Sequence, residues 1–472
     1  MRNTRLLLVM LFALSLFNNY IAAQEVAISL NVQTAGTLRS MINVNKLYLI
    51  TDLTISGNLN GSDINCIREM AGRDGLGAIT TGKLSKLDMS NANICSGEVY
   101  YRSSNYYPYL CSKDTIGANF FKDCKALSTI ILPNNILIID GGAFSGCTGL
   151  TSITIPTSVL KISYYAFSGC TSLNSFTIPK NVVKIEGSAF LNCKKINSFK
   201  TEEGNQYYKT IDGVLFDKEG VNIIAYPNAK SEIYTIPNGV KTIDPNAFQG
   251  SNIYSITLPY GVKIIPQSSF SGCQSLSYIT IPNSVTTIER EAFYQTNLPN
   301  VVLPESVTSI GVQAFYQSNL RSITIPKNVT NIGYGAFSSC YKLIEIHCNI
   351  QTPLKCDASV FKDVIKTTCK LYVPKGTYSA YWLSDMWGDF TNIIEEVENS
   401  NNTINVKKEI IFTDQDVIVV KGQNSGKTIR IYSIMGQLIF SSISTDYESR
   451  IKVKTGQNYI VKIADRVYKV AL

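Results

Sequence analysis

His347 is the single histidine among the 472 residues, and it limits the catalytic chemistry available to the chain. Ser-His-Asp and Cys-His catalysis need an imidazole base, so neither can be built except around His347. A metal site with two or more histidine ligands is excluded within one chain. Asp212, Asp217 and Glu219 could be imagined as a glycosidase carboxylate pair, but they fall in a predicted exposed hairpin. We therefore predict a protein that is not an enzyme, with no catalytic residue, cofactor or metal.

Half of the twelve cysteines occupy one position of an internal repeat, three residues after a phenylalanine. These are Cys124, Cys147, Cys170, Cys193, Cys273 and Cys340. Serine or threonine takes the same position in other turns, at Ser251, Thr296 and Ser318. A position that accepts these three residue types indicates a small buried group. Side chains stacked at the strand spacing of ~4.8 Å lie farther apart than the ~3.8 Å that a disulfide prefers, so we expect free thiols here.

Cys95 and Cys111 lie outside this phase and bracket a segment rich in tyrosine. The segment contains Tyr100, Tyr101, Tyr106, Tyr107 and Tyr109. A disulfide between the two cysteines would close it into a loop, and tyrosine-rich loops supply rigid contact area for ligands. Packing of the rings onto the first turns of the repeat is the alternative interpretation. Cys356 and Cys369, nearer the C-terminus, are a second possible disulfide.

The middle of the chain consists of an internal sequence repeat, and this repeat must position the cysteines described above. Apolar runs end in proline at Pro133, Pro156, Pro179, Pro237, Pro259, Pro282, Pro304 and Pro326, with spacings of 23, 23, 58, 22, 23, 22 and 22 residues. A period in the twenties predicts a solenoid of leucine-rich-repeat type, built from short parallel strands. The 58-residue interval contains Asp212-Gly213 between apolar runs, which predicts an enlarged turn with a hairpin.

Two sets of polar residues fall in phase on the predicted surface. One is a threonine column on the strands: Thr154, Thr177, Thr235, Thr257, Thr280 and Thr324, with Val302 as the exception. The other is Tyr294 with Tyr316, one turn apart, which we expect to stack on an outer corner. Both sets are candidate ligand contacts, although threonine also favours exposed strand positions for local reasons.

The repeat unit identifies a family resemblance. The pattern Leu-x-x-Ile-x-Ile-Pro-x-x-Val-x-x-Ile-x-x-x-Ala-Phe-x-x-Cys, in residues 150–170, resembles the BspA-like (Treponema pallidum-type) leucine-rich repeats of bacterial surface proteins. The family's variant turn matches at Asn205, Tyr208 and residues 212–216, and its closing segment at 369–376. The resemblance implies a secreted or cell-surface protein that adheres to host or bacterial surface and matrix proteins. Surface capture of glycan or peptide nutrients is the alternative function.

The two ends suggest export. Residues 1–23 have the charge and apolar pattern of a signal peptide, and no later run is long enough for an integral membrane segment. Residues 24–115 are interpreted as an N-terminal α/β cap, 116–398 as the repeats with their closing segment, and 399–472 as a small antiparallel β-sandwich. Residues 431–437, 456–463 and 469–472 resemble the C-terminal sorting domain of type IX secretion in Bacteroidetes, although an Ig-like module with no sorting role fits the same strands. We expect a monomer associated with the outer membrane of a Gram-negative bacterium.

The formal charge of +8 does not indicate a nucleic-acid partner. Residues 401–472 hold 11 Lys or Arg and 6 Asp or Glu, and the signal segment holds Arg2 and Arg5. The remaining 24–400 has 30 basic and 29 acidic residues, so the solenoid is nearly neutral. Binding to a phosphate backbone needs clustered positive charge, which this region lacks.

Overall fold

A computed structural model describes residues 26–101, 108–231 and 233–396, and the strand segments 410–414, 417–421, 428–433, 438–443, 448–453, 458–463 and 466–471. The chain divides into two compact units, one ending at Glu396 and the other beginning at Val397. The predicted signal peptide, residues 1–23, lies outside the described residues.

The first unit is a parallel-strand solenoid of about 23-residue turns, and this confirms the predicted fold class. In the turn from Leu150 to Cys170, a strand covers Ser152–Thr154 and a two-residue strand covers Lys161–Ile162. Proline ends the first strand because it has no N–H to give to the ladder. The side chains predicted to point inward are buried, except that Ile153 is half-buried: the buried ones are Leu150, Ile155, Val159, Ile162, Ala166, Phe167 and Cys170.

Stacking of the turns produces a long-strand sheet on one side of the solenoid. Its strands are Thr129–Ile131, Ser152–Thr154, Ser175–Ile178, Ser198–Thr201, Ile233–Thr235, Ser255–Thr257, Tyr278–Thr280, Asn300–Val302, Ser322–Ile325, Glu345–Cys348, Lys370–Pro374 and Asn392–Glu396. The strands form four separate parallel hydrogen-bonded ladders along the solenoid. Alternate side chains point inward, so this sheet presents one face to the core and one to solvent.

The return side of each turn contributes to a short-strand sheet. Its strands are Thr115–Ile116, Ile138–Ile139, Lys161–Ile162, Lys184–Ile185, Asn222–Ala225, Thr242–Ile243, Ile264–Ile265, Thr287–Ile288, Ser309–Ile310 and Asn331–Ile332. Between the two sheets, the repeat phenylalanines stack from turn to turn, from Phe121 to Phe190 and again from Phe248 to Phe361. Phe144 and Phe167 have ring centroids 5.2 Å apart at 5°, and Phe293 and Phe315 are 5.0 Å apart at 14°.

The long interval in the proline spacing contains the predicted hairpin. Strands Tyr208–Ile211 and Val214–Asp217 pair antiparallel around Asp212 and Gly213, whose φ angles of 51° and 76° are those of a two-residue primed turn. The following strand, Asn222–Ala225, pairs antiparallel with the hairpin and parallel with Thr242–Ile243, which returns the chain to the solenoid. The buried core divides into two clusters at this insertion.

The N-terminal residues extend the same sheet. Strands Ala27–Val32, Asp52–Leu59 and Lys86–Ile94 pair in parallel, and the last of them pairs with Thr129–Ile131. Helices cover Leu38–Met41 and Gly61–Met70, with a 3-10 helix at Leu47–Leu49 and a hairpin of Gly97–Tyr101 with Tyr109–Cys111. The longer helix begins with a capping box. The Asn60 side chain accepts a hydrogen bond from the backbone of the first turn, and the Asp63 side chain accepts one from the backbone N–H of Asn60.

At the other end, the closing segment adds helix Tyr378–Trp382 and a 3-10 helix at Trp387–Asp389 before the last strand. The second unit contains antiparallel strands at Ile410–Asp414, Val417–Lys421, Thr428–Ser433, Leu438–Ile443, Glu448–Lys452, Asn458–Ile463 and Arg466–Ala471. They form a three-stranded and a four-stranded sheet. Buried residues from both sheets, among them Ile418 and Ile431, form one core cluster.

Candidate functional site

The solvent face of the long-strand sheet carries the predicted threonine column. Thr235, Thr257 and Thr280 are direct partners in register, and Val302 is the partner of Thr324. Thr154, Thr177 and Thr280 are exposed, while Thr257 and Thr324 are half-exposed. The column therefore lies on the surface, where its members are available to a ligand. Their role in binding stays a prediction.

A pair of tyrosines on the same face was not anticipated from the sequence. Tyr254 and Tyr278 are 46% and 60% exposed, and their rings meet edge to face with centroids 5.6 Å apart. Partial desolvation, and then the charge and hydrogen bond of Tyr278, raise the pKa of the Tyr254 hydroxyl. The first strand position is serine in five turns, for example Ser152 and Ser255, so the large aromatic residue at Tyr278 was the available signal.

No charged side chain occurs in the five strands around this pair. They are Ile233–Thr235, Ser255–Thr257, Tyr278–Thr280, Asn300–Val302 and Ser322–Ile325. Ile233 and Val302 add exposed apolar surface, at 45% and 58%. We call the solvent-facing side of these five strands the uncharged face. Aromatic and apolar groups without charge are typical of the centre of a protein interface.

His347 lies where the threonine column meets the closing segment. It pairs in register with Thr324 on one side and Tyr372 on the other. Its ring stacks on Tyr372 at 4.5 Å and 5°, and its Nδ1 lies 2.9 Å from Oε1 of Glu396. One ring nitrogen and one ring face are thus occupied by neighbouring strands. This arrangement fits a packed surface histidine.

The tyrosine-rich segment corrects part of the predicted ligand site. Tyr100 is only 1% exposed, and its hydroxyl donates to the carbonyl of Ala118 at 2.7 Å. Its ring packs on Phe120 at 4.8 Å, so Tyr100 belongs to the core and does not contact a ligand. Tyr109 is half-buried, 6.4 Å from Tyr100. Tyr106, Tyr107 and the side chain of Tyr101 lie outside the described residues.

The predicted disulfides are not formed: all twelve cysteines are free thiols. Register pairs Cys111 with Gly97, which leaves Cys95 beyond the end of the hairpin, with its Sγ 3.8 Å from the carbonyl of Asn93. Burial raises the pKa of Cys356 to about 11, and its charge interaction is with Cys348. Cys369 contacts its neighbour Lys370 instead. Both proposed bridges, Cys95 to Cys111 and Cys356 to Cys369, are therefore corrected.

The repeated cysteines are free and buried, as predicted, and they also form a hydrogen-bond ladder that the sequence did not reveal. The thiols of Cys147, Cys193 and Cys273 donate to the carbonyls of phenylalanines one turn earlier, at 3.0, 3.1 and 3.0 Å. At Ser251 and Ser318 the hydroxyl lies 3.4 and 3.3 Å from the cysteine sulfur of the next turn. These groups link neighbouring turns.

Tyr294 and Tyr316 stack as expected, with centroids 5.2 Å apart at 9°. Desolvation and then the charge of Tyr316 raise the pKa of the Tyr294 hydroxyl.

Among the hairpin carboxylates considered for catalysis, Asp217 has structural partners: its Oδ1 accepts from the backbone N–H groups of Val221 and Asn222, at 2.8 and 3.0 Å. Asp217 therefore supports a turn.

Among the described residues, no three His, Cys, Asp or Glu side chains are grouped so that they could hold a metal ion. Every helix in the described part of the chain is too short or too polar to cross a membrane.

The family model for the BspA type leucine-rich repeat region matches residues 114–236 and 221–344, in six copies. No curated protein matches the chain. Among solved structures, the chain is similar to the pneumococcal vaccine antigen PcpA, with 25% identity and a TM-score of 0.55, over 69% of this chain and 82% of that one. It is also similar to a leucine-rich cell surface protein from Faecalibacterium prausnitzii, with 23% identity and a TM-score of 0.48, over 70% and 80% of the two chains. The match to PcpA agrees with a leucine-rich-repeat solenoid.

Proposed function

We propose that this chain, whose residues 114–344 match the BspA type leucine-rich repeat, is a non-catalytic binding protein of a bacterial cell surface. Leucine-rich-repeat solenoids are in general binding scaffolds, and the two similar structures are a vaccine antigen and a cell surface protein. The partner is a host or neighbouring-cell protein, matrix proteins included, and the mode of action is adhesion by a monomer.

The observation that carries this proposal is the uncharged face. It carries Tyr278, on which the exposed ring of Tyr254 packs from the residue before Ser255, together with Thr235, Thr257, Thr280 and Thr324 and two exposed aliphatic side chains, Ile233 and Val302. Tyrosine is enriched among the residues that dominate binding energy, since it buries a large ring while its hydroxyl keeps a polar partner. A threonine column beside it supplies hydroxyls without the desolvation cost of charge.

The location is a second part of the proposal. Residues 1–23 would direct export as a signal peptide, and residues 399–472 would serve as a β-sandwich sorting domain that associates the protein with the outer membrane of a Gram-negative bacterium, one of the Bacteroidetes. Recovery of residues 399–472 intact on the mature surface protein would contradict a cleaved sorting signal.

Adhesion is tested by measuring binding of the purified mature chain to a panel of immobilised extracellular matrix proteins. The double variant Tyr254→Ala/Tyr278→Ala should lose at least about tenfold in affinity, since truncation of one interface hot spot costs ~2 kcal/mol. Tyr334→Ala is the matched control, because Tyr334 is 59% exposed but lies outside the uncharged face. A separate variant with Ala at Tyr101, Tyr106, Tyr107 and Tyr109 tests the tyrosine-rich segment.

Two results would contradict adhesion by this face. One is matrix-protein binding that the double variant and the control retain equally. The other is a set of glycan or peptide ligands with no protein partner, which would favour nutrient capture. Turnover of any ligand by the purified protein would contradict the non-catalytic assignment.

A further inference from the structure

The corners of the solenoid, between each repeat phenylalanine and the next long strand, are not all of one length. The corners after Phe293 and Phe315 run Thr296-Asn297-Leu298 and Ser318-Asn319-Leu320, one residue shorter than those after Phe270 and Phe337. Two short corners thus lie between two long ones. A single recess opens over them, with Gln274 on one wall and Tyr341 and Lys342 on the other. We call it the corner recess.

Paired amides form the floor of the corner recess. Gln295 Nε2 donates to Gln317 Oε1 at 2.6 Å, and Asn319 Nδ2 donates to Asn297 Oδ1 at 2.5 Å. A side-chain amide has two donor hydrogens and an acceptor oxygen, so each pair keeps both an acceptor and donors for a further partner. The floor therefore offers mixed donors and acceptors from two successive turns.

The backbone at Gln295 and Gln317 is left-handed, with φ of 54° and 53°. The same position is glycine in other turns, for example Gly169 and Gly272, with φ of 74° and 69°. Glycine adopts this conformation without strain, whereas a residue with a Cβ does not. Asp123, Asn192 and Ser339 take the same left-handed position in other turns, with φ of 60°, 57° and 58°, so the position accepts a side chain as well as glycine. Gln295 and Gln317 differ from these in that their side-chain amides pair with each other across two turns.

The lining selects one ligand chemistry. It consists of neutral amides and hydroxyls, one exposed tyrosine ring and one lysine, without an acidic group. Tyr341 is 64% exposed, which leaves its ring available for an apolar C–H surface. An extended peptide would need pockets for alternate side chains, and this lining is polar. Sugar hydroxyls both donate and accept, and a sugar ring also has a C–H face.

We propose that the corner recess binds a neutral oligosaccharide, with amides of the floor holding the hydroxyls and Tyr341 packing on a ring. Its walls are three turns apart, about 14 Å at ~4.8 Å per turn, which suits a short run of sugar units. Such a site would be where the protein captures glycans, the alternative function inferred from the sequence. It does not depend on the adhesion proposal, because the corner recess lies on the corners of the turns and the uncharged face lies on the long strands.

The test is titration of the mature full-length protein with a panel of short neutral oligosaccharides, followed by calorimetry. In Gln295→Gly/Gln317→Gly, affinity should fall about tenfold or more, because hydrogen-bonding groups are lost. The melting temperature should stay equal or rise, since glycine suits the left-handed backbone. Tyr341→Ala should also weaken binding about tenfold. Tyr334→Ala, an exposed tyrosine outside the lining, should bind as the unmodified protein does.

Three results would overturn the assignment. The first is an absence of binding by every oligosaccharide at millimolar concentration. The second is binding that Gln295→Gly/Gln317→Gly and Tyr341→Ala leave unchanged. The third is a peptide that binds and is weakened by the same substitutions, which would assign the corner recess to a different ligand class. Matrix-protein binding is measured separately with Tyr254→Ala/Tyr278→Ala. The adhesion proposal and the oligosaccharide proposal can therefore fail independently of each other.

Discussion

The thiol of Cys170 donates a hydrogen bond to the backbone carbonyl of Phe144, one turn earlier, with 3.2 Å between sulfur and oxygen. Both residues are fully buried. The same carbonyl also accepts from the backbone N–H of Cys147 at 3.1 Å, so the thiol is its second donor and uses its remaining lone pair. The cysteine position of the repeat therefore joins successive turns as well as filling space.

This relationship predicts different effects for two substitutions of Cys170. Cys170→Ala removes this second donor and should lower the free energy of unfolding by about 1 kcal/mol. Cys170→Ser keeps a donor, in a position where Ser251 and Ser318 are accepted, and should cost less. Urea denaturation of both variants checks this. A serine variant less stable than the alanine variant would contradict the hydrogen-bonding role.

Burial also predicts how the thiols respond to pH. It raises the pKa of Cys193 to about 12 and the pKa values of Cys273 and Cys340 to about 11, from an ordinary 9.0. The neutral thiols therefore stabilise the fold fully below pH 9.0, and this contribution is lost as the pH rises to about 11 to 12. Melting temperatures measured between pH 8 and 11 should fall at the alkaline end; an unchanged melting temperature would contradict the prediction.

The same burial predicts protection from alkylation. Reaction requires the thiolate, and the ladder cysteines are both protonated and buried at pH 8. Iodoacetamide should therefore leave Cys124, Cys170 and Cys273 unmodified in the folded protein and modify all of them in denaturant. Peptide mass spectrometry locates the label, and half-buried Cys95 serves as the internal control. Rapid labelling of the ladder without denaturant would show that it opens readily.

The phenylalanine stack predicts a large loss of stability on truncation. Phe167 lies between Phe144 and Phe190, with centroid distances of 5.2 and 5.8 Å and interplanar angles of 5° and 6°. Phe167→Ala should destabilise the solenoid by about 3–5 kcal/mol, because a buried cavity replaces the ring. Tyr164→Ala is the control, since Tyr164 is 55% exposed and should change stability by less than about 0.5 kcal/mol. Thermal denaturation followed by circular dichroism compares the two.

The side chain of Asn205 stabilises the enlarged turn through three hydrogen bonds. It is buried, its Oδ1 accepts from the N–H groups of Tyr207 and Tyr208 at 2.8 and 2.7 Å, and its Nδ2 donates to the carbonyl of Pro179 at 2.8 Å. Asn205→Ala removes all three hydrogen bonds. The Pro179 carbonyl keeps the backbone N–H of Val182, but the N–H groups of Tyr207 and Tyr208 lose their side-chain acceptor, so the substitution should cost about 2 kcal/mol. Exposed Gln206→Ala should have little effect. Hydrogen exchange should show faster exchange around Tyr208 in the first variant and not in the second.

The uncharged face predicts a partner affinity that is nearly independent of salt. Screening by ions weakens interactions between exposed charges, and the five strands of this face contain none. Binding to the matrix protein identified in the adhesion test should therefore change less than about twofold between 50 and 500 mM sodium chloride. A loss of tenfold or more would point to a charged surface elsewhere on the protein.

Much of the solenoid could be predicted because its sequence signals are local and repeated. Proline follows eight of the long strands, phenylalanine and cysteine recur in phase, and Asp212-Gly213 specifies a two-residue turn. The surfaces were harder to predict, since they depend on contacts between turns. Tyr254 and Tyr278 are 24 residues apart and meet only diagonally, one turn over. Tyr100 looked like a loop residue, but its hydroxyl had a carbonyl partner at Ala118 that only folding provides.

The division of the core at the hairpin has a mechanical consequence. Packing passes from turn to turn along the solenoid axis, so a local rupture spreads most easily through neighbouring turns. At the insertion, Leu215 belongs to the N-terminal core cluster, while Val214 and Phe216 belong to the C-terminal one. A single strand with alternating side chains thus serves as the seam between two blocks. When the protein is pulled by its ends, unfolding that begins in one block should therefore pause at this seam, giving two unfolding steps.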